Sequence, residues 1–167
     1  MSYRFVSTMQ RVRGFTLIEF LVTLTLVGIA ASVILPLASV METRAKETEL
    51  RRALRTIRQA LDNYKTAADA GAIDKTTGSS GYPVSLEVLV AGVPRSAAMG
   101  VGATPMIFLR SIPRDPFFID KTTPAVQTWN IRGYGASKTD VSAKPDVFDI
   151  SSKSEKTAID GTKYREW

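Results

Sequence analysis

The side chains that most enzymes use for chemistry are largely missing from this sequence. Its 167 residues include neither Cys nor His. This excludes disulfides, thiol catalysis and Cys-ligated zinc, and it removes the usual general base and transition-metal ligand. The remaining candidates are 16 Asp and Glu residues, 22 Lys and Arg residues and scattered Ser residues, which offer no nucleophile paired with a base. We therefore expect a non-enzymatic protein.

A long apolar segment dominates the N-terminal part. Residues 20–41 contain no charged side chain, and a helix of that length spans roughly 33 Å, about one hydrocarbon core. A cleaved secretory signal usually has an apolar region of only about 7–15 residues. The length favours a membrane span, although small residues near Ala31 and Ala38 leave signal-peptidase cleavage as an alternative. Arginines flank both ends, so charge bias does not settle the orientation.

One ionisable side chain, Glu19, lies at the start of this apolar segment. Thr16 and Glu19 fit a capping box, and the helix dipole stabilises a carboxylate in the first turn. This explains why an acid is tolerated here. It does not explain the Gly14-Phe15 junction and the arginines that come directly before it.

The periodicity predicts a single helix from Thr16 to Asp69, about 80 Å long by its rise per residue. Its first half is apolar all round, and its second half is amphipathic. Apolar residues spaced three and four apart form the buried face of that second half: Leu50, Ala53, Leu54, Ile57, Ala60, Leu61, Tyr64, Ala67 and Ala68. The opposite face is charged, and Glu42–Lys46 and Glu47–Arg51 are expected to pair.

Two residues are expected to weaken this helix. Gly28 costs about 1 kcal/mol relative to Ala in a helix interior. Pro36 removes the backbone hydrogen bond to the Ser32 carbonyl, so a kink or local melting is expected nearby. Membrane helices tolerate both residue types. They are therefore either neutral or form a joint at which the apolar half changes conformation.

The rest of the sequence predicts a small α+β domain. Ser85 is expected to cap a short helix over residues 86–91, and prolines exclude segment 108–116 from a regular central strand. Segments 128–135 and 146–151 alternate apolar and polar residues, as antiparallel strands do. We expect a sheet of about three strands packed on the amphipathic half of the long helix.

The segment GFTLIE at residues 14–19, after a short basic leader and before about twenty apolar residues, resembles the class III signal of type IV pilins and pseudopilins. The resemblance implies that a membrane prepilin peptidase cuts between Gly14 and Phe15 and methylates the new Phe15 amine. It also implies that Glu19 serves assembly, and that Gly28 and Pro36 occupy positions where such helices commonly carry these residues.

The same resemblance implies three parts of the chain. Residues 1–14 are a cleaved leader, residues 15–41 are the helix half that spans the membrane and then forms the filament core, and residues 42–167 are a globular pilin domain in the periplasm. The fold class implied is a pilin-like α+β fold. The mature chain would first lie in the inner membrane as a single-pass protein, in contact with lipid.

Two further segments resemble the major pseudopilin of type II secretion systems: Tyr82-Pro83 before a short helix, and Ile112-Pro113-x-Asp115-Pro116. The absence of Cys agrees, because many major type IV pilins close a loop with a disulfide. The resemblance implies a helical filament of identical copies that drives protein export, with minor pseudopilins, an inner-membrane assembly platform and a cytoplasmic ATPase as partners. A minor type IV pilin for adhesion or DNA uptake, and a membrane-anchored binding module, are the alternatives.

That family often binds calcium in the loop after its late strand. Side-chain oxygens that suit a hard cation cluster here in the sequence at Asp146, Asp149, Ser151, Ser154, Glu155 and Asp160. The segment Lys153-Ser154-Glu155-Lys156 replaces the glycine-rich segment of the family, and its two lysines weaken the local field for a cation. A polar hairpin with its turn at Asp160-Gly161 is therefore favoured over a calcium site. The nearby aromatic residues are interpreted as core or edge-covering side chains: Trp129, Tyr134, Phe148 and Trp167.

The charge balance bears on nucleic acid as a partner. Removing the leader's three arginines from the 22 basic residues leaves 19 against 16 acidic residues, a net charge of only +3. The basic residues of the helix are interleaved with acids, which favours a solvated or subunit-facing surface. We expect no nucleic-acid partner.

Overall fold

The computed structural model describes residues 14–75, 79–97, 104–135 and 146–167. The internal contacts divide the chain into two compact units, with the division between Met41 and Glu42. One helix, α1 (Leu17–Asp69), contributes to both units and is 53 residues long. The predicted helix is confirmed to within one residue at its start.

In the first unit, the described residues are the N-terminal half of α1 and the three residues before it. Every side chain described between residues 14 and 41 is exposed. The helix runs without interruption through Gly28 and position 36, so the local melting expected there is absent from this structure. Intrahelical hydrogen bonding on both sides is sufficient to keep a helix continuous across one weak position.

The second unit has its core on one face of α1. The predicted stripe is confirmed, because all of its residues from Leu50 to Ala68 are buried except Tyr64, which is half-buried. The core cluster around this stripe is completed from the rest of the unit by Leu86, Leu89, Leu109, Trp129, Val147, Ile150, Ala158 and Tyr164.

A short helix, α2 (Glu87–Ala91), packs against this core. Its predicted cap is wrong, because Leu86 occupies the N-cap position and no side chain caps the helix. Burial holds it instead, since Leu86 and Leu89 are both fully buried. The amides of Phe108 and Leu109 both donate to the Leu89 carbonyl at 3.0 Å.

The sheet consists of β1 (Trp129–Arg132) and β2 (Asp149–Ser152), paired antiparallel with Trp129 opposite Ser152. Both strands lie within or beside the predicted segments. The expected count of about three is too high for the described residues, where two strands form. Other extended segments make only single bridges, such as Val93 to Met106, because prolines and side-chain hydrogen bonds interrupt their ladders.

Candidate processing and assembly site

The junction predicted for processing lies just before α1 and is open. Gly14, Phe15 and Thr16 are not helical, and Phe15 is 70% exposed. A Cβ built on Gly14 would meet no atom within 4 Å, and the φ angle of Gly14 is not positive. Neither packing nor backbone conformation in the described structure therefore requires glycine here.

The first turn of α1 forms half of the predicted capping box. The Glu19 amide donates to Thr16 Oγ1 at 3.3 Å, and the Phe20 amide donates to the Thr16 carbonyl at 3.1 Å. The Glu19 carboxylate is exposed and has no hydrogen-bond or ion-pair partner among the described residues. The cap therefore uses the backbone of Glu19 and leaves its charge available for another contact.

The apolar half of α1 presents its large side chains outward. Those between residues 15 and 41 range from 40% exposed at Val40 to 78% exposed at Leu17. By length and composition α1 is able to cross a membrane. A surface of this kind needs an apolar environment, supplied by lipid or by other protein chains. The helix is thus suited to membrane anchoring.

Gly28 has no structural reason within the described part of the monomer. A Cβ there would meet nothing within 4 Å, and its φ is not positive. An alanine would be accommodated and would favour the helix. Glycine at position 28 is therefore either required in a state other than this monomer or not required at all.

The oxygen-bearing residues considered for calcium are engaged separately. Asp149 pairs with Arg58 at 2.8 Å and with Arg132. Asp146 accepts from the Ser80 hydroxyl and from the Tyr134 amide at 2.9 Å. Within the four described ranges, no group of three or more acidic residues is placed to hold a metal ion.

The later candidates take part in turns. The Thr162 hydroxyl and amide donate to Asp160, which lowers the pKa of that carboxyl. Ser154 accepts from the Lys156 amide at 3.4 Å, and Glu155 lies 3.5 Å from Arg165. Ser151 lies in β2. The predicted turn at Asp160-Gly161 is present, since Gly161 has φ 85° and a single antiparallel bridge joins Thr157 to Lys163 on either side of it.

The aromatic residues near these turns divide as predicted between core and edge. Trp129 is 2% exposed and donates from Nε1 to the Pro113 carbonyl at 2.9 Å. Tyr134 is exposed and contacts Phe148 edge to face, with ring centroids 5.6 Å apart. Trp167 is half-buried and packs edge to face on Tyr164.

The ion pair predicted between Glu47 and Arg51 is wrong. Glu47 Oε1 accepts instead from the Ile159 amide at 2.8 Å and from the Tyr164 hydroxyl at 2.9 Å. Arg51 pairs with Asp160 at 3.2 Å and lies over the Trp167 ring. The partners offered by the folded C-terminal segment displaced the local pair, which is worth only a few tenths of a kcal/mol.

The buried hydrogen bonds of Asp115 were not predicted from the sequence. Asp115 is 1% exposed and accepts from the Phe117 amide at 2.8 Å and from the Ser152 hydroxyl at 2.5 Å. Its own amide donates to Thr128 Oγ1 at 3.2 Å. A buried carboxylate with these partners joins the proline-rich segment to the sheet. The aspartate between two prolines was the signal in the sequence.

Arg58 belongs to the charged face of α1, which was expected to be solvated or to face another subunit, but its side chain contacts other parts of the same domain. Its Nε donates to Asp149 at 2.8 Å, and its Nη2 donates to the carbonyls of Ile150 at 3.0 Å and Trp167 at 2.8 Å. These contacts fix α1 to β2 and to residue 167. They show that the charged face of the helix is partly used within the domain.

Comparison with known proteins addresses the N-terminal region. The model of the prokaryotic N-terminal methylation motif matches residues 9–35, which include Gly14, Phe15, Glu19 and Gly28. No curated protein and no solved structure gives a significant match. The class III signal implies processing by prepilin peptidase and assembly of the pilus type. With one long N-terminal helix and a small antiparallel sheet, the chain therefore carries the signal and the layout of a type IV pilin-like protein.

Proposed function

We propose that this chain is a structural filament subunit that is processed at Gly14-Phe15 and assembles with copies of itself. The observation that carries the proposal is the methylation motif directly joined to an apolar helix half whose described side chains are all exposed. Such a helix is stable in lipid, and in a filament it is covered by the same half of its neighbours. The proposal needs no catalytic group in the chain.

The role of Glu19 follows from its free carboxylate. Cleavage after Gly14 gives Phe15 an α-amine, which is substantially protonated near neutral pH. We place this amine beside Glu19 of a neighbouring subunit, because two opposite charges that leave water or headgroups together lose less free energy than either charge alone. The half-formed cap at Thr16 holds the first turn while leaving the carboxylate available.

More specifically, we propose the major pseudopilin of a type II secretion system, with residues 42–167 in the periplasm. Two segments support this choice. The Pro83 carbonyl accepts from the Val147 amide at 2.8 Å, so the Tyr82-Pro83 segment is built into the core, and Asp115 has the buried contacts described above. The partners would be minor pseudopilins and an inner-membrane assembly platform, and the filament would drive protein export.

Mass spectrometry of the protein from its native host tests the processing. A mature chain that begins with methylated Phe15 is the expected result. An intact Met1, or a new end near Ala31 or Ala38, would contradict it.

Assembly is tested with Glu19→Ala in the presence of wild-type subunits, with Thr16→Val as the matched control. Thr16→Val removes the side-chain cap and keeps the carboxylate. If Glu19 acts in assembly, only Glu19→Ala is incorporated slowly. Equal incorporation of all three proteins would refute the assembly role. Equal defects in both variants would indicate that each acts by stabilising the first turn of α1, Thr16 through its cap and Glu19 through the helix dipole.

Deletion of this protein in its host tests whether it belongs to a secretion system or to a pilus. Loss of protein secretion with normal pili supports the secretion pseudopilin. Loss of pili with normal secretion would identify a pilus subunit instead.

A further inference from the structure

Three arginines form a basic patch on the outward face of α1, named here the arginine row: Arg44, Arg52 and Arg55. All three are exposed, and their spacing of eight and three residues places them on the side of the helix opposite Leu50 and Ile57. Arg55 donates from Nε to the Arg51 carbonyl at 3.3 Å. None of the three guanidinium groups has an acidic partner within the described residues.

The acids nearest in sequence do not neutralise this row. Glu42 pairs with Lys46 at 2.7 Å, and Glu47 turns toward Tyr164. Glu49 is exposed and makes no ion pair with the row in the described structure. The row therefore remains a cationic surface of guanidinium groups, which suit carboxylates or phosphates.

Lipid phosphate is the competing partner for the guanidinium groups of the row. Arg44 and Arg55 lie about 16 Å apart along the helix, and a headgroup layer is roughly 5–8 Å thick. A row of this length is matched better by charges spread along a second helix, and vesicle composition separates the two partners in the experiment below.

A second copy of this chain carries a suitable acid on the same helix. Asp62 follows Arg55 by two helical turns and lies on the same outward face. It is exposed and makes no ion pair within the described residues. The next outward acid, Asp69, is already paired with Lys65 and Lys75. The outward face of α1 thus carries the arginine row toward its N-terminal end and the unpaired acid Asp62 farther along.

We propose that the arginine row of one copy contacts Asp62 of a neighbouring copy in the filament. A parallel copy displaced along the helix by about 10 to 15 Å brings its Asp62 level with Arg55 or Arg52. Each copy offers its arginine row to one neighbour and its Asp62 to another. The two contacting surfaces are therefore different, and the contact can repeat along an open filament. This inference rests on the proposed filament function and identifies charges that set the stagger between subunits.

The test uses the processed full chain reconstituted in vesicles, with filament formation measured by crosslinking and electron microscopy. Arg52→Glu/Arg55→Glu and, separately, Asp62→Arg should each lower filament yield about fivefold or more, the scale of one or two exposed ion pairs replaced by like-charge contacts. The triple variant carries opposite charges at both ends of the face and should regain most of the yield. Arg110→Glu/Lys121→Glu changes net charge equally at exposed positions elsewhere and should assemble normally. Circular dichroism checks that each variant is folded.

The outcomes separate this inference from the proposed function. Wild-type assembly with equal yields for every variant overturns the charge contact alone, and so does a triple variant no better than its parents. A defect seen in anionic vesicles but absent from zwitterionic ones assigns the row to lipid and also overturns it. A correctly processed wild-type chain that never assembles overturns both.

Discussion

The substitution Gly28→Ala tests whether glycine at position 28 is required for the stability of the monomer or for assembly. In the monomer a new Cβ meets no atom within 4 Å, and the backbone is not in the left-handed region. Alanine is better than glycine in a helix interior by about 0.8–1.0 kcal/mol. We therefore expect the variant to be at least as helical and as stable as wild type, by circular dichroism and thermal unfolding in detergent.

Assembly should respond in the opposite direction if Gly28 is a joint. A helix that must open locally near Gly28 pays about 1 kcal/mol more when alanine replaces glycine, which lowers the open population about fivefold. Pro36→Ala restores a backbone hydrogen bond and removes a residue about 3 kcal/mol less favourable than alanine in a helix. Its effect should be larger, about two orders of magnitude. Filament yield and local amide hydrogen exchange measure both effects.

A compensating variant tests the physical cause. Gly28→Ala/Ala31→Gly moves the flexible position by one turn, so a joint predicts that assembly recovers. If Gly28→Ala and Pro36→Ala both assemble at the wild-type rate, the two residues are merely tolerated. If the compensating variant stays defective, a small side chain at position 28 matters for contact and the joint is wrong.

Three further predictions concern the globular unit. Burial and the hydrogen bond to Glu47 raise the pKa of Tyr164 to about 12, so the folded state retains that proton. Its stabilising contribution should be complete below about pH 10 and lost as pH rises toward 12. Denaturation of Tyr164→Phe across this range should show a smaller fall in stability. Asp115→Ala leaves the buried Ser152 hydroxyl and the partly buried Phe117 amide without their acceptor and should lower the free energy of unfolding by about 2–4 kcal/mol in denaturant titrations. Arg58→Ala loses three hydrogen bonds at a partly exposed site and should cost about 1–3 kcal/mol by the same measurement.

The helix and its buried face were predictable because they rest on local periodicity. Apolar residues spaced three and four apart over twenty positions have one simple solution, and Leu50, Ile57 and Leu61 lie where it places them. The N-terminal signal was likewise a contiguous pattern, and the methylation-motif model matches it at residues 9–35. Features that depend on neighbours in sequence were therefore accessible without coordinates.

The errors in the globular unit involve tertiary contacts that local patterns do not encode. The partners of Glu47 lie more than a hundred residues away in sequence, so the periodicity of the helix does not predict them. The cap expected from Ser85 was replaced by burial of Leu86 and Leu89, and the third strand was replaced by bridges. No burial was predicted for Asp115, whose carboxylate accepts from the Phe117 amide and the Ser152 hydroxyl. In each case tertiary packing prevailed over a local preference of a few tenths to about 1 kcal/mol.

In the proposed filament, the polar groups of this helix set the balance between lipid and assembly. Lipid tails are about as apolar as leucine, so moving the exposed face of residues 15–41 from lipid to neighbouring helices has little hydrophobic driving force. A carboxylate costs about 2.5–3.5 kcal/mol at the centre of a membrane and less near its edge. Glu19 therefore disfavours deep burial in lipid unless a cation reaches it, and in our proposal that cation is the Phe15 amine of another subunit. The proposed contact between the arginine row and Asp62 of another copy adds a second attraction. Both proposed contacts favour assembly, whereas the apolar side chains leave the choice nearly neutral.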